Sequence, residues 1–171
     1  MSLEDLGNIG EFVAAVGVII SLIYLAVQIR QNTSQLIEGN RAQRLAAQRD
    51  TVGAFSAYRH LVVLNPGVSQ LFHKGALDLE SLTEEERLRF DLVAYELVFA
   101  CETLFTHVEE SLLPIERWNG VSQYLVANLR QPGLRQHWEQ NKYLCSSPFV
   151  AAVDMLLSEP PANRRDSEVS T

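Results

Sequence analysis

Phe12-Val13-Ala14-Ala15-Val16-Gly17-Val18-Ile19-Ile20-Ser21-Leu22-Ile23-Tyr24-Leu25-Ala26-Val27 is a run of sixteen residues without a charge. Ser21 is its only strongly polar side chain. As a helix the run covers about 24 Å, short of a hydrocarbon core of roughly 30 Å. Extended over residues 9–29 it reaches about 31 Å, enough to span. Glu11 and Gln28 then lie near the two ends, where their polar atoms reach the headgroups. Tyr24 lies toward the C-terminal interface, which suits an amphipathic ring. The expectation is a transmembrane helix over residues 9–29. A cleaved signal peptide fits less well: no Lys or Arg precedes Arg30, and no small-residue cleavage site follows the run.

The rest of the chain is less apolar. Its 171 residues make room for one ordinary domain, or a smaller domain with an appendage. A hydrophobic content of 47% excludes a disordered chain, and a mean hydropathy of -0.01 excludes a multi-span membrane protein. The formal charge of -7 argues against nucleic acid as a partner, since phosphates call for excess Lys and Arg.

Charge is distributed unevenly. Glu4, Asp5 and Glu11 flank the span on one side; Arg30, Arg41, Arg44, Arg49 and Arg59 follow it, against Glu38 and Asp50. Residues 28–60 carry a net +3 and residues 61–113 a net -7. The positive-inside rule places the C-terminal side in the cytoplasm and the acidic N-terminus outside. Arg30, Arg41, Arg44 and Arg49 form a basic flank suited to anionic headgroups at the inner surface. Cys101 and Cys145 then sit in a reducing compartment as free thiols.

Within the span, Gly10, Ala14, Gly17, Ser21, Tyr24 and Gln28 recur at intervals of four and three. Small residues on one face let helix backbones approach closely, so this seam predicts a homo-oligomer. A pore would need more polar side chains than Ser21 and Gln28.

Downstream, helical periodicity dominates and no segment alternates with period two. A long helix is expected over residues 33–64, with an apolar stripe of Leu45, Val52, Phe55, Tyr58, Leu61 and Val62. Asn65-Pro66 ends it and starts a short helix over 66–74, stopped by Gly75. Residues 76–81 read as a connection. Thr83 and Glu86 form a capping box for a helix reaching Ser111. Phe90, Val93, Leu97, Cys101, Leu104 and Val108 fall on one face of it; Leu88, Leu92, Tyr95 and Phe99 fall nearly opposite. Such a helix is buried on both sides within the bundle, or lends its second face to another subunit. Pro114, Pro132 and Pro148 each open a further helix. Pro160-Pro161 ends the last, and residues 162–171 read as a flexible tail.

The expected organisation is a short extracytoplasmic tail (1–8), the transmembrane helix (9–29), a long juxtamembrane helix (30–64), a cytoplasmic helical bundle (65–158) and a tail (159–171). The fold class is all-α.

The stretch Ile20-Ser21-Leu22-Ile23-Tyr24-Leu25-Ala26-Val27-Gln28-Ile29-Arg30-Gln31-Asn32-Thr33 resembles the N-terminal signature of a group of small bacterial inner-membrane proteins. Asn65-Pro66, Glu102-x-x-Phe105, Trp118 and Pro132-Gly133-x-x-x-x-Trp138 are also similar to that group. The likeness runs over residues 3–153. It implies one N-terminal transmembrane helix and a helical cytoplasmic region, and carries no catalytic residues.

The sequence carries no recognisable catalytic or metal-binding pattern. His60, His73, His107 and His137 lie on different predicted elements, without H-x-x-x-H or H-E-x-x-H spacing. Glu96, Thr103 and His107 share one face, but Glu96 and His107 are about 16 Å apart along a helix. That face reads as a solvated stripe. Cys101 sits on an apolar stripe, where a thiol is a small hydrophobe. Cys145 precedes Ser146-Ser147-Pro148 at a predicted helix start, a place that lowers a thiol pKa, but no histidine is near in sequence. Gly-rich phosphate loops are absent. Trp118 and Trp138 read as core aromatics. The expectation is a non-enzymatic, cofactor-free membrane oligomer or scaffold subunit that engages an unidentified protein partner. The alternative is a sensory module holding a small apolar ligand in its bundle.

Overall fold

A computed structural model describes residues 3–160, apart from the side chains of residues 3–11, 13 and 14. The described residues form six α-helices and two short 3-10 turns joined by brief connections, with no strand among them. The predicted tail over 162–171 lies outside the described residues.

Helix α1 runs unbroken over Leu3–Val63. No proline interrupts it, and Gly39 and Gly53 each weaken a helix by only about 1 kcal/mol. The span and the juxtamembrane helix are therefore one element. The chain divides into two compact units, residues 1–45 and 46–171, so the division falls inside the 30–64 segment. In the first unit every described side chain is exposed.

The second unit is a helical bundle. It comprises the last turns of α1, then α2 (Pro66–Leu77), α3 (Glu84–Glu109), α4 (Ile115–Leu129), α5 (Pro132–Asn141) and α6 (Ser147–Ser158). Short 3-10 turns, Leu79–Ser81 and Lys142–Leu144, join α2 to α3 and α5 to α6. Helix α3 is central and packs on α2, α4, α5 and α6. Its start follows the sequence: the Glu86 amide donates to Thr83 Oγ1 at 3.3 Å, and the Thr83 amide to Glu86 Oε2 at 2.9 Å. Lys74 bonds the same carboxylate at 2.9 Å. With Thr83 it holds the Glu86 carboxyl below the usual carboxylate range.

The core closes around Phe149, which is fully buried. Its ring meets Phe105 at 5.6 Å, Trp118 at 5.8 Å and Trp138 at 6.0 Å, all edge-on, the arrangement that ring quadrupoles favour. Glu102, one turn before Phe105, accepts the Ser146 amide at 2.6 Å. It thereby supplies an acceptor at the start of α6. The Glu102-x-x-Phe105 step, Trp118 and Trp138 are thus parts of one packing unit.

Several local expectations are corrected. Gly75 does not stop α2, which continues to Leu77 and ends at Asp78. Gly75 instead lies buried where α2 crosses α5: a Cβ on Gly133 would collide with the Gly75 carbonyl oxygen. The 76–81 connection is largely helical, since Ala76 and Leu77 belong to α2 and Leu79–Ser81 is a 3-10 turn. Asn65 precedes α2 but does not cap it, because its amide donates back to the Leu61 carbonyl at 2.9 Å. Helix α3 ends at Glu109, and Ser111 takes a positive φ of 58°. Ser146, not Ser147, precedes the first residue of α6.

The second face of α3 is not buried in the bundle, except at Tyr95, which is half-buried against His137. Leu88, Leu92 and Phe99 are 62%, 60% and 60% exposed, while Phe90, Leu97, Cys101 and Leu104 on the opposite face are buried. Period alone marks a face as apolar and leaves its neighbour undefined. On α1, Leu45 and Val52 are exposed, and the packed stripe narrows to Phe55, Tyr58, Leu61 and Val62.

Candidate functional site

Three features bear on function, and each belongs to one unit. The first is the apolar part of α1. It is the one helix among the described residues long and apolar enough to cross a membrane, and its apolar window is 0% buried. A core helix of a soluble protein would be covered. Within the expected seam, Ser21 Oγ donates to the Gly17 carbonyl at 2.8 Å, so the hydroxyl is satisfied inside its own helix. A Cβ on Gly17 would meet nothing within 4 Å, which leaves that face open to close approach. Tyr24 is exposed. Gly10 and Ala14 lie outside the described side chains. Arg30, Arg41 and Arg44 fall within roughly 60° of one another around the axis, and Arg49 lies off that face. All four are exposed.

The second feature is a cavity of about 260 Å³ inside the bundle unit. Val52 and Phe55 of α1, Leu104 of α3, Leu113 of the α3–α4 connection and Val121 of α4 make its apolar lining. Gln48, Thr51, Arg59 and Arg117 add polar groups. Pro114 does not open α4 as expected but precedes its first residue, Ile115; Leu113 lies just before it, and Arg117 lies in the first turn of the helix. Thr51 Oγ1 lies 3.0 Å from His107 Nδ1, so a hydrogen bond ties α1 to α3 at the cavity.

The third is a buried polar cluster between α3 and α5. His137 Nδ1 lies 3.0 Å from Asp91 Oδ1, and Arg87 Nε donates to the same oxygen at 3.2 Å. Asn141 approaches His137 Nδ1 at 3.2 Å. Phe90 and Tyr95 pack edge-on against the imidazole. Burial pushes the His137 pKa down, and Asp91 opposes it without prevailing.

Comparison with family models, with curated proteins and with solved structures finds no match.

Among the described residues, no three His, Cys, Asp or Glu side chains are grouped to hold a metal ion. Burial pushes the Cys101 thiol up to about 12. Cys145 is also pushed up to about 12, by burial first and by the Glu102 carboxylate second. The helix start that was expected to lower the Cys145 pKa is outweighed, because Glu102 occupies it. Glu96, Thr103 and His107 do not converge: Thr103 bonds the Phe99 carbonyl at 2.9 Å and His107 turns to Thr51. Trp118 and Trp138 are core, as the aromatic spacing suggested. The Trp138 indole also donates to Asp154 at 2.8 Å, and Lys142 binds the other oxygen of that carboxylate at 2.8 Å.

The His137 cluster makes stability depend on pH. With its folded pKa below the ordinary 6.5, the native state binds fewer protons than the unfolded chain in that window. Stability is full above 6.5 and is lost as pH falls from there toward the folded pKa. Asp154 adds a separate loss at lower pH: burial opposes its ionisation, but the Lys142 and Trp138 bonds outweigh it and hold its carboxyl below 3.8. Unfolding midpoints of His137→Gln followed by Trp fluorescence should lose the limb below 6.5 and keep the one below 3.8. An unchanged upper limb would assign it to another group.

Proposed function

We propose that this chain is a membrane-anchored, non-enzymatic subunit of a bacterial inner membrane. Its N-terminus lies outside, and its bundle presents a helical surface to partners in the cytoplasm. The observation that carries the reading is the pairing of two uncovered apolar surfaces: the span of α1 and the Leu88, Leu92 and Phe99 row of α3. A bilayer covers the first. The second sits at coiled-coil spacing, which suits another helix. The basic flank after the span supports the orientation, and the resemblance to small inner-membrane proteins agrees with it. The open Gly17 face supports self-association within the bilayer.

The test is the size of the full chain in bilayer nanodiscs, with reporter fusions at both ends to read orientation. Wild type should form one defined oligomer, and Gly17→Leu should weaken it about tenfold in dissociation constant. A monomeric wild type, or a cytoplasmic N-terminal reporter, overturns the corresponding part.

A second reading, a sensory or regulatory module with a small apolar ligand in the bundle, is favoured by the cavity beneath α1.

A further inference from the structure

The bundle cavity is neither purely apolar nor a plain polar cleft. Phe55, Leu104, Leu113 and Val121 line it, and Arg59 and Arg117 reach it from α1 and α4. Both are exposed, and they differ from most other basic side chains of the bundle unit, Arg49 and Arg130 apart. Lys74, Arg87, Arg89, Arg135 and Lys142 each pair with a carboxylate. Among the described residues no carboxylate pairs with Arg59 or Arg117, although acids outnumber bases 21 to 14 in the chain. Arg59 donates instead to the neighbouring Ser56 hydroxyl at 3.2 Å. Two guanidiniums left without anions beside an apolar lining match a ligand with a charged head and a hydrocarbon body. Thr51 and Gln48 add hydrogen-bonding groups.

We propose that this cavity binds a small single-chain anionic amphiphile, its head held by Arg59 and Arg117 and its chain against Phe55, Leu104, Leu113 and Val121. A cavity of about 260 Å³ lies just below the roughly 300 Å³ at which drug-sized pockets begin, which suits a small single-chain ligand. A two-chain lipid does not fit within it. The proposal rests on the second reading above and narrows it from an apolar ligand to an anionic one. The anion is a free amphiphile or a bilayer headgroup reaching the two arginines; both share the same head chemistry, and the composition of the nanodisc separates them.

The probe is labelled octanoate, measured by equilibrium dialysis against the full chain in phosphatidylcholine nanodiscs, with empty nanodiscs subtracted. One octanoate per chain is expected. Arg59→Gln and Arg117→Gln should each weaken binding tenfold or more. Arg49→Gln, outside the lining, should leave it unchanged, and Val121→Phe should abolish it by filling the space. Unchanged Trp118 and Trp138 emission verifies that the variants are folded. Octanol should bind at least tenfold more weakly than octanoate. Equal binding of the two, insensitive to both arginines, overturns the anionic assignment and spares the ligand-binding reading. Binding of neither overturns both. Loss of octanoate binding when phosphatidylglycerol is added to the nanodiscs assigns the anion to the bilayer; retained binding assigns it to a free amphiphile.

Discussion

Gly133→Ala should destabilise the bundle by about 3 kcal/mol or more, lowering its unfolding midpoint by on the order of 10 °C. A methyl at this position would collide with the Gly75 carbonyl oxygen and lie 3.0 Å from that of Ala76. Those atoms are backbone and cannot rotate away, so relief requires α2 and α5 to separate. Separation would strip cover from Phe90 and Leu134, both fully buried. The reciprocal change, Gly75→Ala, should cost less, because its nearest obstacles include side-chain atoms, Phe90 Cε2 at 2.7 Å and Leu82 Cδ1 at 2.9 Å. Gly120→Ala provides the contrast. Its Cβ meets nothing within 4 Å inside exposed α4, so it should stabilise by roughly 0.5–1 kcal/mol. The loss of native Trp fluorescence on heating reads all three, since Trp118 and Trp138 are buried. Equal midpoints for Gly133→Ala and Gly120→Ala would overturn the close crossing.

That crossing marks the limit of what one sequence discloses. Gly75 read as punctuation because a glycine that ends a helix and one that admits a neighbouring backbone look alike in a single chain. Pro66, Pro132 and Pro148 were more legible: a fixed φ and a missing donor suit the first turn of a helix and little else. The capping box at Thr83 was legible for the same reason, since both its partners lie within four residues. Its local chemistry needs no knowledge of the fold.

The cavity was not legible. Its lining comes from three separated stretches, Gln48 to Arg59, Leu104 to Leu113, and Arg117 to Val121, and no spacing joins them. Arg59 read as part of the basic stretch after the span, and no spacing singled out Arg117. Only packing brings the two guanidiniums to the same apolar lining. The His137 site was hidden likewise, because Asp91 is 46 residues away. The outer face of α3 fell between these cases. Period exposed its apolar row, but whether the bundle covers it depends on tertiary packing.

Ile19→Arg combined with Ile23→Arg should remove the chain from the membrane fraction altogether. Both positions are exposed and lie on the side of α1 away from Gly17 and Ser21, so they would face lipid and leave the seam untouched. On insertion scales a central Arg costs about 2.5 to 3.5 kcal/mol, while each Leu, Ile, Val or Phe contributes only about -0.3 to -0.6. The two substitutions therefore add roughly 6 to 8 kcal/mol, counting the apolar contributions they delete. That sum exceeds what the remaining side chains of this short segment supply. Alkaline carbonate extraction reads the result: wild type in the pellet, the double variant in the supernatant. Gly17→Leu must behave oppositely. It makes the span more apolar, so it should stay in the pellet while its oligomer weakens. If the double variant also pellets, with the bundle folded by Trp fluorescence, the helix is held by something other than its apolar span.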